Sequence, residues 1–394
     1  MATHATNAAG GSLARRLQDL LDRTVGEDPA IRSGVMHVET PQLTWQGASG
    51  AADPDRGVAM LAGDQFQAAS ITKMVTAATL MTLVEEGRIE LDAGIGRHLP
   101  AAAISGLHDF CGHDYGPEIT PRQLLSHTSG VADFFGDGEP GPGGALPFVA
   151  KMLEDPDKLW DPLEILAWTK ANLRPRFAPG EGWHYADTGF VLAGLIVEAV
   201  TDKALHAAMR ARVLGPLGMD HTYLLFREPA RPALPGRDAS HAYAGDLPYG
   251  TQNSVTADWA GGGLVTTAHD LARFIRAFAD DRLYRDRATR KQMLTWTPTG
   301  EPGVDYGLGV RRFVLAELGM PGFGELRGHT GFLKSFMLYW PERDATICGT
   351  LNQSAAPGAF SQLRPVAAIV PAAMRALNEG QRPPLHETPV NGKP

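Results

Sequence analysis

Residues 70–87, SITKMVTAATLMTLVEEG, decide the reading of this chain. Their apolar side chains recur at helical spacing and the run stops at Gly87, a good helix terminator, so a long helix starts at Ser70. Ser70 and Lys73 stand three residues apart at its start, which puts hydroxyl and amine on one face where they can meet. A serine hydroxyl is a weak nucleophile at neutral pH and needs an adjacent base. A lysine serves only when its pKa is depressed, and the positive potential of a helix N-terminus together with partial burial pushes Lys73 towards the neutral amine. An SxxK spacing alone arises by chance about once in a chain of this length, and a capping serine beside a solvated lysine is the plain alternative.

Further along, Tyr185 lies in WHYADTGFVLAGLIVEAVT (183–201), immediately before an apolar helix. A phenol there can relay a proton between nucleophile and leaving group, or it is simply a core aromatic. His329, Thr330 and Gly331 lie between two strand-like runs. A glycine at that place lets substrate approach the backbone, and an edge strand offers an amide to an oxyanion; an ordinary turn is the alternative.

SITK at 70–73, YAD at 185–187 and HTG at 329–331 occur in that order, accompanied by LLSHTSGV at 124–131, PLGMDHT at 216–222 and GGGLVTTAHDLARF at 261–274. In these motifs the chain resembles the serine β-lactamase and penicillin-recognising superfamily: class C β-lactamases, D-alanyl-D-alanine carboxypeptidases, D-amino-acid amidases and related esterases. The resemblance covers roughly residues 12–380 and the combination is far more specific than any part. It implies an α/β (α+β) fold of β-lactamase/transpeptidase type, an antiparallel sheet flanked by helices plus a mostly helical lobe. By the same resemblance Ser70 would attack a carbonyl carbon, Lys73 and Tyr185 would manage the protons, and His329 would assist the third wall of the site. The oxyanion would be held by the amides of Ser70 and Phe332, with Asp187, Thr330 and Gly331 against the substrate. Water would release the acyl-enzyme; no cofactor or metal is required.

Two positions depart from that pattern. The second motif usually ends in asparagine, whereas here Asp187 can only accept hydrogen bonds. An ionised Asp187 beside Lys73 would raise the lysine's pKa, opposing the activation argued above and weakening the case for β-lactam hydrolysis. It either pairs with Lys73 structurally or faces a substrate carrying a free amine, as in a D-aminopeptidase or D-amino-acid amidase. His329 stands where many β-lactamases have lysine, and gives a weaker, pH-dependent handle for a substrate carboxylate.

Other signals read more plainly. HDFCGHD at 108–114 superficially suits zinc but lacks a recognised ligand spacing, so a polar surface loop is expected. His127 and Ser129 in HTSG are expected to be hydrogen-bonding turn residues. Gly261, Gly262 and Gly263 lack the GK[ST] of a phosphate cradle and read as close backbone packing near the site.

The 394 residues, 43% hydrophobic and 20% charged, suit a globular protein with a sizeable core. A formal net charge of −8 with no basic cluster excludes a nucleic-acid partner. Two cysteines, Cys111 and Cys348, do not make a disulfide scaffold and are read as free thiols. No run reaches the ~20 apolar residues of a membrane span. The start lacks the basic segment and apolar run of a secretory leader, and Leu13, Leu17, Leu20 and Leu21 instead form a helical stripe; a cytoplasmic protein is expected, periplasmic or secreted if a leader has been removed.

Strand-like runs at 31–38 and 43–45, then at 306–314, 332–340 and 345–351, sit at both ends of the chain, with helical segments at 121–127, 162–171, 189–200, 269–279 and 360–377. This predicts one sheet built from both ends, an α/β lobe of about 12–69 and 265–380, and a helical lobe of about 70–264. Residues 1–11 and 381–394 read as tails, the second as disordered. The expected function is hydrolysis of a small ester, amide or peptide by a carboxylesterase or D-stereospecific amidase or peptidase. Acyl transfer or peptide cyclisation, weak β-lactamase or D,D-carboxypeptidase activity, and a non-catalytic penicillin-binding-like sensor are the alternatives; oligomeric state is left open.

Overall fold

The computed structural model describes residues 8–141, 144–354 and 369–380. Helix α1 (Ala8–Glu27) precedes strands β1 (Ser33–Thr40), β2 (Leu43–Asp53) and β3 (Val58–Ala59). The rest of the same sheet comes from the far end of the chain: β4 (Thr297–Pro298), β5 (Val304–Tyr306), β6 (Arg311–Val314), β7 (Glu325–Thr330), β8 (Phe336–Trp340) and β9 (Ala345–Thr350). The spatial order is β4-β5-β6-β7-β8-β9-β1-β2-β3, antiparallel throughout, and the two chain ends are joined where Val35 pairs with Thr350 and Val38 with Ile347. Both outer strands are two residues long and β4 carries Pro298, which leaves little edge for another chain to pair with.

Period-two alternation sorts the central strands between two cores. Met36, Val38, Phe336, Leu338, Trp340 and Ile347 face Leu13, Leu17 and Leu21 of α1 and Met374 and Leu377 of helix α5 (Ile369–Gly380). On the opposite face Val35, Met337 and Cys348 join the larger core, which holds Leu271, Phe274 and Phe278 of helix α4 (Ala268–Ala279).

Helix α2 (Thr72–Glu85) runs through the middle of that larger core, packed on helix α3 (Asp187–Thr201) and the segment Trp259–Gly262. Nearly every side chain of its first three turns is buried, as a helix apolar all round requires. Its threonines satisfy their hydroxyls on carbonyls, Thr79 on Val75 at 2.9 Å and Thr76 on Ala260 at 2.6 Å. Gly87 ends it with φ 70°, its N–H donating to Val84 O at 2.9 Å.

Several boundaries differ from the sequence reading. Helix α1 begins at Ala8, so residues 8–11 are helix and not tail. The run 306–314 is two strands, broken at Gly309 where φ is 74°. The run 332–340 yields a strand only from Phe336, because 331–335 turn back sharply, Gly331 N donating to Ser335 O at 2.8 Å. Strand β7 was not foreseen: Arg327 and Gly328 interrupt its apolar alternation. The last helix starts at Ile369; residues 360–368 of the expected helix and the tail 381–394 lie outside the described residues. Among the described residues no helix is long and apolar enough to cross a membrane.

Candidate active site

Ser70 sits in a 3-10 turn, Ala69–Ile71, that joins strand Phe66–Gln67 to α2. The chain is forced through this corner: Ala69 adopts φ 49°, a left-handed conformation costly for a residue with a Cβ. Ala68 anchors the corner, its N–H donating to Leu264 O at 2.8 Å and its carbonyl accepting from Ser335 Oγ at 2.7 Å. The HTG segment is pressed against the same place. A Cβ on Gly331 would stand 2.3 Å from Ser335 Oγ and 2.8 Å from Ala68 O, so only glycine lets β7 and the following residue, Phe332, close on the Ser70 corner.

One helical turn on, Lys73 is completely buried (0% exposed). Its Nζ donates to Ser70 Oγ at 3.2 Å, to Gly261 O at 3.0 Å and to Asp187 Oδ1. Three acceptors match the three protons of an ammonium. Burial disfavours that charge, yet the nearby Asp187, Tyr185 and Asp258 outweigh it and hold the Lys73 pKa well above its ordinary value. The expectation of a resting neutral amine is therefore corrected: Lys73 rests as an ammonium because Asp187 replaces a neutral amide beside it.

Asp187 opens α3, and its backbone N–H donates to Asp133 Oδ1 at 2.9 Å. Its carboxylate is thus committed to Lys73 and is not an open substrate contact. A third acid, Asp258, completes the cluster. A Cβ on Gly261 would stand 2.7 Å from Asp187 Oδ1, 2.8 Å from Asp258 Oδ1 and 3.3 Å from Lys73 Nζ, so all three charged groups converge on one bare backbone position. Burial and the charge of Asp187, partly offset by Lys73, raise the Asp258 pKa to about 7. Asp133, wholly enclosed, is pushed up by burial and by Asp187 and Asp137.

Tyr185 has its ring 5.0 Å from Lys73 Nζ, with the hydroxyl buried and accepting no ordinary hydrogen bond; burial raises its pKa. The guanidinium of Arg311 lies 5.3 Å over the same ring. His127, with φ 60°, packs 4.2 Å from Tyr185 and accepts from Ala186 N–H at Nδ1, 3.1 Å away, so it shapes the YAD turn. Ser129 accepts from Val131 N–H at 3.4 Å, a turn contact.

His329 does not present itself to a substrate. It is fully buried, with Nε2 2.8 Å from Tyr306 Oη and Nδ1 2.7 Å from Thr330 O, and burial and the charges of Arg311 and Lys73 drive its pKa well below the usual value. It is a neutral ring bracing β7 against Tyr306, and no handle for a carboxylate. Thr330 is likewise buried in the β7 ladder. In the loop 108–114, His108 is buried, Cys111 is exposed and His113 binds Glu118 at 2.8 Å; Cys111 and Cys348 are both free thiols.

Sequence reasoning brought Ser70, Lys73, Tyr185, Asp187 and the HTG turn to one place but missed Asp258, Tyr306 and Arg311. Asp258 stands three residues before the glycine run, where a polar residue next to required backbone approach was the available signal.

Over 228 residues the chain is 31% identical to esterase EstB of Burkholderia gladioli, covering 58% of this chain and 55% of that protein. It is 30% identical over 248 residues to penicillin-binding protein 4 of Amycolatopsis lactamdurans, covering 61% and 57%. The chain thus spans little more than half the length of these curated relatives. Among solved structures, D-amino acid amidase from Ochrobactrum anthropi SV3, complexed with L-phenylalanine amide, superposes with a TM-score of 0.76 at 25% identity, over 94% of this chain and 100% of that one. Residues 21–370 match the family model described as Beta-lactamase, and the chain, matched over most of its length, belongs to the beta-lactamase family.

Proposed function

We propose that this protein is a serine hydrolase that cleaves a small ester or amide through an acyl-enzyme on Ser70, acting as a carboxylesterase or D-stereospecific amidase or peptidase. The observation that carries the reading is the 3.2 Å contact between Ser70 Oγ and the buried Lys73 Nζ, at a strained corner against the HTG turn. Ser70 Oγ attacks the carbonyl carbon as its proton passes to Lys73 in the amine form. The backbone amides of Ser70 and Phe332 receive the oxyanion; one such donor is worth ~2.7–4 kcal/mol of transition-state stabilisation. Tyr185 returns the proton to the leaving group, and water then splits the acyl-enzyme along the same route. Because Lys73 rests charged, turnover rises with pH as the Lys73–Asp187 unit gives up its proton. Small substrates of this kind suit the family, whose similar members include the esterase and the D-amino acid amidase named above.

The test is the intact mass of the protein after exposure to a fluorophosphonate. One adduct is expected, absent in Ser70→Ala, together with hydrolysis of p-nitrophenyl esters or amino-acid amides. Absence of any adduct with acylating probes defeats the proposal and leaves a binding protein.

A further inference from the structure

Asp258 is used by none of the steps above, although its carboxylate stands beside Lys73 and Asp187. Its Oδ1 is buried and receives no N–H or O–H from the chain; the carboxyl of Asp187 beside it bonds to Asp258 only through a shared proton. Two glycines make room for it: a Cβ on Gly262 would fall 1.6 Å from Asp258 Oδ2, and one on Gly261 2.8 Å from Oδ1. The groups facing it are Asp187 from α3, Lys73 from α2 and the phenol of Tyr249. Lys73 is the one cation among them, and it is already matched by Asp187. The cluster thus sets two carboxylates against one cation near Ser70, and without a second cation it is balanced by a proton on Asp258, because burial makes an unbalanced charge costly.

On the other side of Tyr249 the character changes. Tyr249 packs 5.7 Å from the ring of Phe332, the residue that follows the HTG motif, and the two form part of an apolar cleft with Phe135, Leu146, Met152 and Val255. Tyr249 and Phe332 also pack against Ala69, the neighbour of Ser70, so a ligand whose carbonyl lies at Ser70 meets the Asp258–Asp187 pair and the apolar wall on either side of Tyr249.

Building on the hydrolase reading, we propose that Asp258 is the counter-ion for a primary ammonium on the substrate, and that the preferred substrates are amides or esters of α-amino acids with an apolar or aromatic side chain held between Tyr249 and Phe332. The α-ammonium supplies a second cation and donates to Asp258 Oδ1 in place of the proton shared with Asp187. An α-amine is joined to the carbonyl carbon through a single atom, so it enters the neighbourhood of Lys73 whenever the carbonyl reaches Ser70. Asp187, tied to Lys73, cannot take this role.

The experiment compares two substrates, phenylalanine p-nitroanilide and its analogue 3-phenylpropionyl p-nitroanilide, which lacks only the amine, in the wild type and in Asp258→Asn. The ratio of kcat/KM, amine-bearing over amine-lacking, is expected to fall about 10- to 100-fold in the variant, as loss of a buried charge partner does. A ratio that does not move overturns the proposal. Both enantiomers of each amino-acid substrate are run, so that stereochemistry cannot mask the effect. A second readout needs no variant: in the wild type, KM for the amine-bearing substrate rises as pH falls below about 7, where Asp258 takes up a proton, while KM for the analogue does not. Equal pH dependence of the two also counts against it. Labelling of Ser70 by fluorophosphonate is measured in parallel; loss of the label from the wild type marks failure of the hydrolase reading, whereas retained label with an unchanged ratio marks failure of the Asp258 assignment alone.

Discussion

At the scale of single residues, one exchange governs the chemistry: a carboxylate at position 187 where related motifs carry an amide. Lys73 is buried enough to lose its charge, yet it keeps it, because Asp187 contacts it directly and Asp258 stands behind. Replacing Asp187 by Asn removes the charge that raises the lysine's pKa while keeping an oxygen for its hydrogen bond. The ascending limb of the kcat/KM profile should then move to lower pH, by about one unit or more on the scale of a close buried ion pair. Titrating activity of Asp187→Asn against the wild type from pH 5 to 10 checks this; a limb that stays put shows that some other group is the base. The residues that could be read from the sequence were those whose spacing does the chemistry locally. Ser70 and Lys73 are three apart on a helix, and no tertiary knowledge is needed to bring them together. Asp258 was illegible for the opposite reason: its partners are 71 and 185 positions away in sequence and meet it only through the packing of α2 on α3 and the glycine segment.

Among the elements, the clamp between β7 and the Ser70 corner matters most. Ser335 reaches back from the turn after HTG to the carbonyl of Ala68, two residues before Ser70, and Gly331 fits beneath it. Ser335→Ala leaves that carbonyl without its side-chain donor and frees the turn carrying Phe332. A stability loss of about 1 kcal/mol is expected, from urea unfolding, against a fall in kcat of roughly tenfold with KM nearly constant, since what loosens is oxyanion geometry. A fall in kcat no larger than the stability loss explains would show that the clamp does not position the site. This strand and its turn also mark where sequence patterning failed. Helices α3 and α4 were found to within two residues because their apolar faces repeat without interruption, whereas β7 is broken by Arg327, Gly328 and His329, each placed there by packing or by the site.

For the molecule as a whole, the α1 and α5 core and the proposed site lie on opposite faces of the sheet. The α1 and α5 layer buries Leu17 and Leu21 completely against β1, β8 and β9, while Ser70, Lys73 and Tyr185 belong to the side built around α2. Leu17→Ala should therefore cost about 2–5 kcal/mol in unfolding free energy and leave the rate of fluorophosphonate labelling of Ser70 in the folded protein close to that of the wild type. Matched denaturation and labelling curves measure both, and a labelling rate that drops with stability would mean the two layers are coupled. The pairing of Val35 with Thr350 bears on how such a chain comes into being. While it emerges from the ribosome, the β1–β2 hairpin has one side bare until β9 has been made, and long-range closure of this kind is slow. Nascent chains halted anywhere before position 345 should be held by chaperones or degraded, since β9 is what seals them.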